Sequence, residues 1–169
     1  MRYLALASLA LALAIPVQAA APAPRMAITS FEQLRQPLPL PYDEHANADR
    51  VVASVTAQAR KDGKLVLLDL GGNWCPDCRV LAGTMQAEPL KSWAGRHFDV
   101  AMVDVGRFDK NLQVPARYGI KGRLAGVPAL FIVDPKTGRL LNRGHETALA
   151  DAGSMTPQAL ADWLARWVN

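Results

Sequence analysis

The sequence predicts an α/β domain: a mixed β-sheet with helices on both of its faces. Three observations predict it. Short apolar runs of strand length recur at Lys64–Leu70 (KLVLLDL), Phe98–Asp104 (FDVAMVD) and Ala129–Val133 (ALFIV). Around them lie stretches whose apolar residues have helical spacing. The last run is followed by a turn sequence and a returning segment, which gives the sheet an antiparallel pair. With 169 residues, half of them hydrophobic, the chain is sized for one domain with its own core.

In chain order, Arg2 and the apolar run Tyr3–Ile15 precede Val17-Gln18-Ala19, a small-x-Ala cleavage signal. Residues 1–19 therefore read as a secretory signal peptide cut after Ala19. Its bacterial length points to the periplasm, a compartment that permits disulfides. No later segment is apolar enough to span a membrane, so no stable span is expected after cleavage. Loss of Arg2 takes the formal charge from +4 to +3. The remaining basic residues are interleaved with acids, which argues against nucleic-acid binding.

Residues 20–48 form a Pro/Ala-rich N-terminal extension, with Ala20–Arg25 expected to be a mobile linker. Pro37-Leu38-Pro39-Leu40-Pro41 favours an extended polyproline II path across the surface of its own domain. The domain proper is assigned to residues 49–169. Asp49–Lys61 is a helix with Val51, Val52, Val55 and Ala59 on one face, capped by Asn47 or Asp49 and stopped at Gly63. The strand Lys64–Leu70 carries Asp69 inside it. Val80, Leu81 and Met85 predict a helix running to about Pro89. Asn111–Tyr118 is helix-like but interrupted by Pro115. Arg139–Asn142 is expected to return on Ala129–Val133 as a hairpin. Thr156 and Pro157 open a last helix, with Leu160, Trp163, Leu164 and Trp167 along its core face.

The only two cysteines lie in Gly71–Arg79, GGNWCPDCR, between a strand and a helix. As a structural staple, Cys75–Cys78 would close too short a loop to restrict the unfolded chain. As a zinc site, two thiols fall short of four ligands, and His45, His97 and His145 are isolated in sequence. No metal site is assigned, although Cu(I) accepts two thiolates. A redox couple fits best. At a helix start, free N–H groups and the helix dipole favour the Cys75 thiolate, and Cys78, one turn on, can resolve a mixed disulfide.

Trp74-Cys75-Pro76-Asp77-Cys78, the acid Asp69 upstream, Gly126-Val127-Pro128 before a strand, and Gly144 after the hairpin together resemble the thioredoxin superfamily. The resemblance spans about Asp49–Val168. It implies a thioredoxin-like three-layer α/β/α sandwich with a central mixed β-sheet. It also implies a role for each residue. Cys75 would be the exposed attacking thiol and Cys78 the buried resolving one. Asp69 would be a buried acid of raised pKa that takes the Cys78 proton. Pro128 would be cis, Val127 would pair with an extended substrate, and Trp74 would be an exposed apolar wall. Gly144 would let the chain pack near the site. The sequence departs from the family at Pro76-Asp77, at Gly83 where a helix-kinking proline is usual, and in a longer Lys121–Gly126 connection expected beside the site.

Pro76 and Asp77 are the redox-tuning positions. An ionised Asp77 would disfavour the Cys75 thiolate and push the couple in the reducing direction. That push is about 20 mV on a span of about −120 to −270 mV. The expected function is a periplasmic thiol–disulfide oxidoreductase that reduces protein disulfides. It would need no cofactor beyond the Cys75–Cys78 couple, would act on disulfide- or thiol-containing client proteins, and would be resupplied by a membrane electron donor. The alternatives are a non-catalytic client-binding module or a Cu(I) metallochaperone. A thiol peroxidase would need an arginine and a threonine around the cysteine, for which Arg79 and Thr84 are the candidates.

Overall fold

A computed structural model describes residues 21–168 of the chain. The signal-peptide reading of residues 1–19 lies outside them. Helix α1 (Ala48–Asp62) is followed by β1 (Leu65–Gly71), α2 (Pro76–Gln86), α3 (Leu90–His97) and β2 (Phe98–Asp104). Helix α4 (Gln113–Ala116), β3 (Ala129–Val133) and α5 (Pro157–Ala165) complete the order. The sheet runs β2-β1-β3, with β1 parallel to β2 and antiparallel to β3. This is a mixed sheet, as the resemblance implied.

Strand alternation sends side chains to two cores. Val66, Leu68 and Leu70 of β1 join Phe131 of β3 and Val52 and Ala59 of α1. Leu67 joins Leu130 and Ile132 of β3, Leu81 of α2, Trp93 of α3 and Leu160 of α5. The sheet is therefore covered on both faces, and its middle strand β1 is buried along nearly its whole length. Burial of β1 from Val66 to Gly71 fixes where its C-terminal end delivers the cysteine loop.

Four expectations need correction. The helix predicted to run to about Pro89 ends at Gln86, and a further helix that was not expected follows it from Leu90. Chain direction breaks at Ala87, which is extended, and Pro89 becomes the residue before α3, where its missing N–H costs nothing. Helix α3 buries Leu90, Trp93 and Ala94, an i, i+3, i+4 set. The helix-like stretch Asn111–Tyr118 shortens to the single turn of α4.

The returning strand Arg139–Asn142 does not form as a strand. It keeps one bridge, Val133 to Leu140, and the bonds Asp134 N–H to Arg139 O at 3.0 Å and Leu141 N–H to Ile132 O at 2.7 Å. Beyond that, the Asn142 side chain takes the backbone's place. Its Oδ1 accepts from Ile132 N–H at 2.9 Å and its Nδ2 donates to Leu130 O at 2.8 Å. The ladder is satisfied by an amide while the main chain turns away.

The N-terminal segment is not a mobile linker from Ala21 onward. Ala21 N–H donates to Val168 O at 3.3 Å, and Met26 N–H to Gln158 Oε1 at 2.8 Å. Gln158 Nε2 donates back to Pro24 O at 3.1 Å. Further on, the proline-rich stretch crosses α2. Arg79 donates to Leu38 O at 2.9 Å and to Pro39 O at 3.3 Å. A Cβ on Gly83 would meet Leu38 at 3.1 Å and Leu34 at 3.3 Å. The glycine at this departure from the family pattern makes room for the extension.

Candidate active site

Strand β1 ends at Gly71, and the chain turns through Gly72, Asn73 and Trp74 before α2 begins at Pro76. Proline suits that first helical position because its missing N–H would have had no partner there. Cys75 is the N-cap of α2, and its Sγ accepts a hydrogen bond from Cys78 N–H at 3.1 Å. A thiolate gains from that donor and from the positive end of the helix. Cys75 is accordingly held below the ordinary thiol value. The Cys78 thiol contributes most and the Cys78 N–H adds to it, against burial and the charge of Asp77. Cys78 is pushed up, first by its hydrogen bond to Cys75 and then by burial. The two thiols are thus differentiated in the sense that attack by one and resolution by the other requires.

One expectation about Cys75 is corrected: it is not exposed. Only 3% of it is accessible, and Cys78 is fully buried. The cover is the Val127–Pro128 loop, where the peptide is cis and Val127 O lies 3.5 Å from Cys75 Sγ. Val127 and Pro128 are themselves buried. Trp74 is 38% exposed and stands at the rim. Its Nε1 donates to Gly106 O at 2.7 Å, its ring lies 5.8 Å from Phe108, and the Arg107 guanidinium sits 4.6 Å above it.

The Lys121–Gly126 connection reaches this rim through Arg123, which stacks 3.8 Å from the Phe108 ring centre. Phe108 and Arg107 were not singled out in the sequence; no motif marks them. Gly144 departs from its expected role. A Cβ there would meet nothing within 4 Å, and its φ of 84° shows that the residue serves a left-handed turn.

Asp69 is completely buried behind the cysteines. Its Oδ1 accepts from the Tyr42 hydroxyl at 2.8 Å, whereas its Oδ2 has no partner. Burial pushes its pKa up to about 7, against the Tyr42 hydrogen bond, which pulls it down. Asp77 is engaged by a neighbouring turn. Its Oδ1 accepts from Gly153 N–H at 2.7 Å, so its carboxylate ties α2 to the turn before α5. Arg79 and Thr84 do not face Cys75 as a peroxidase would require. Arg79 holds the Leu38 and Pro39 carbonyls, and the Thr84 hydroxyl donates to Val80 O at 2.8 Å. Among the described residues, no group of three or more His, Cys, Asp and Glu is placed to hold a metal ion.

Tyr42 is a further site residue that sequence reasoning missed. It lies in the extension, 3% exposed, directly after the proline run. Its backbone is clamped by Asn73 of the cysteine loop. Tyr42 N–H donates to Asn73 Oδ1 at 3.1 Å, and Asn73 Nδ2 donates to Tyr42 O at 2.8 Å. The one available signal was a phenol at the end of a rigid segment, too common a feature to single out.

Residues 48–135 match a family model described as Thioredoxin-like. Among solved structures, the disulphide isomerase from Xylella fastidiosa Temecula1 is 36% identical, with a TM-score of 0.69 over 76% of this chain and 97% of that one. A DsbH oxidoreductase is 23% identical, with a TM-score of 0.40 over 60% of this chain and 69% of that one. A protein of unknown function from Pseudomonas aeruginosa is 20% identical, with a TM-score of 0.38 over 72% and 85%. No curated protein matches the chain. The family model covers more than half of the residues and the Xylella protein nearly its own full length; the chain belongs to the thioredoxin-like family.

Proposed function

We propose that the protein is a periplasmic thiol–disulfide oxidoreductase that reduces disulfides in client proteins through the Cys75/Cys78 couple. The observation that carries this reading is the 3.1 Å hydrogen bond from Cys78 N–H to Cys75 Sγ at the first turn of α2. It places one sulfur where a thiolate is stabilised and the other one turn behind it.

The reaction has two steps. Cys75 thiolate attacks one sulfur of the client disulfide, forming a Cys75–client mixed disulfide and releasing the other client sulfur as a thiolate. Cys78 then loses its proton toward Asp69 and attacks Cys75 Sγ. The Cys75–client bond breaks, the second client thiolate leaves, and the Cys75–Cys78 disulfide forms. The client gains two electrons and the protein loses two. Asp69, with a pKa near 7, is poised to accept that proton at neutral pH.

Because Cys75 is covered, a client must enter beside Trp74 and against the Val127–Pro128 backbone, where an extended segment can add as a short strand. A dithiol donor in an oxidising compartment needs resupply, for which a membrane electron donor is the proposed source. The secretory leader read in residues 1–19 supports the location.

The test is insulin reduction. The wild type should reduce insulin disulfides with a dithiol reductant as donor, and Cys75→Ser should not. A wild type without activity contradicts the reading. Cys78→Ala should trap clients as mixed disulfides identifiable by mass spectrometry. A second reading, isomerisation, is favoured by the relation to the Xylella protein, which bears that name. There the client's own thiol, not Cys78, would resolve the mixed disulfide. Recovery of a scrambled disulfide substrate by Cys78→Ala separates the two: retained activity favours isomerisation, lost activity favours reduction.

A further inference from the structure

We infer that Tyr42, supplied by the N-terminal extension, is the proton bridge between Cys78 and Asp69 in the resolving step. The inference rests on the oxidoreductase reading above and adds to it a residue from outside the cysteine motif.

Three observations place the hydroxyl. It donates to Asp69 Oδ1 at 2.8 Å in a fully buried setting. A Cβ on Gly71 would collide with the Tyr42 hydroxyl and would lie 2.7 Å from Cys78 Sγ. The phenol oxygen and the sulfur therefore share the space above a residue that must be glycine. The Tyr42 backbone is held on both its N–H and its C=O by Asn73, two residues before Cys75. The phenol is thus fixed from the cysteine loop itself.

The titratable groups that meet here are Tyr42, bonded to Asp69, and Cys78, bonded to Cys75, with the charge of Asp77 acting on Cys75 from the first turn of α2. Asp69 has one oxygen engaged by Tyr42 and the other without a partner. Oδ1 is reached through the Tyr42 hydroxyl bonded to it, whereas transfer straight to Oδ2 would bypass Tyr42 and leave the second phase of Tyr42→Phe, measured below, unchanged.

The step balances without any other reactant. Cys78 S–H gives its proton to the Tyr42 oxygen as Tyr42 O–H gives its own to Asp69 Oδ1. The phenol ends neutral, Asp69 ends protonated, and the Cys78 thiolate attacks Cys75 Sγ to expel the client thiolate. Asp69 later returns the proton to solvent. Tyr42 need not ionise, in keeping with a hydroxyl pushed well above its ordinary value by burial and by Asp69.

The test uses the full mature chain and the two-step reaction of the reduced protein with an aromatic disulfide, 5,5′-dithiobis(2-nitrobenzoate). The first thionitrobenzoate released reports Cys75 attack, at a rate that depends on reagent concentration. The second reports resolution by Cys78, at a rate that does not. Tyr42→Phe keeps the ring and removes the hydroxyl. It should leave the first phase within about twofold of wild type and slow the second about tenfold or more. Asp69→Asn should slow the second phase as well. The double variant should be no slower than Asp69→Asn alone, because the two groups act as one path.

An unchanged second phase in Tyr42→Phe, or fully additive losses in the double variant, overturns the inference. A wild type that releases no second thionitrobenzoate overturns the oxidoreductase reading instead. Should Tyr42→Phe fail to fold, the wild-type second phase in mixtures of light and heavy water decides. Two protons in flight give a curved dependence on deuterium fraction, and a linear one overturns the bridge.

Discussion

At the scale of single residues, Asp69 and Cys75 are perturbed in opposite senses by the same few ångströms of protein. Asp69 is fully buried and, among the described residues, has no ion-pair partner, so its neutral form is favoured. Cys75 has backbone and thiol donors, so its charged form is favoured. The first costs stability. Below the unfolded carboxyl value, near 4, Asp69 is protonated in both states and contributes nothing. As pH rises toward 7, the unfolded chain releases a proton that the folded one keeps, and the folded state is progressively disfavoured. The full penalty, about 4 kcal/mol as an upper figure, is present above pH 7. Asp69→Asn should therefore be more stable than wild type at pH 8, and the gap should close toward pH 4. Urea unfolding at both pH values measures it, and a gap that is constant or widens on acidification contradicts the assignment.

Asp77 offers a test of tuning, since Asp77→Asn retains an oxygen for Gly153 N–H and removes only the charge. The Cys75 value should fall and the couple should become less negative by about 20 mV, measured against glutathione. A shift toward a more negative potential would show that the carboxylate does not act on Cys75 through its charge.

At the scale of elements, the parts read from periodicity were the parts buried on a regular face. Strands β2 and β3 run over the residues expected, and β1 and α1 over nearly the same ones, because alternating or helically spaced apolar side chains decide them. Helix α3 was equally patterned, but Pro89 lay where one helix was expected to end, and nothing in the residues says that another starts there. Asn142 shows a different limit. A short polar residue after a strand-like run reads as the end of a hairpin, whereas here its side chain completes the ladder. Asn142→Leu fills a similar volume and strands a buried N–H and C=O. It should cost about 2–5 kcal/mol in urea unfolding, and a loss under about 1 kcal/mol would show that these groups find other partners.

Gly83 is the corresponding feature of α2. Gly83→Leu would push Leu34 and Leu38 off the helix. It should lower stability by about 1–3 kcal/mol and expose residues 31–41 to limited proteolysis. A variant as resistant as wild type would mean that the extension is held elsewhere.

At the scale of the whole molecule, the extension and the cysteine loop form one structure. The chain from Ala21 docks on α5, crosses α2 near Gly83 and Arg79, and ends with Tyr42 clamped by Asn73 beneath the cysteines. The candidate site was legible in the sequence where it is contiguous, in Trp74–Cys78, and where family resemblance named distant positions, Asp69 and Val127–Pro128. It was not legible at Tyr42, Phe108 and Arg107, whose place follows only from how the segments meet in space. The same limit explains the misjudged exposure of Cys75, since its cover comes from a loop more than fifty residues away.

The central claim is that the turn opening α2 makes Cys75 a stabilised thiolate and keeps Cys78 protonated. Titration of thiolate ultraviolet absorbance in wild type, Cys75→Ser and Cys78→Ser tests it most directly. The account predicts one transition below the ordinary thiol value of about 8.5, absent in Cys75→Ser and present in Cys78→Ser. A Cys75 transition at or above that value would contradict it.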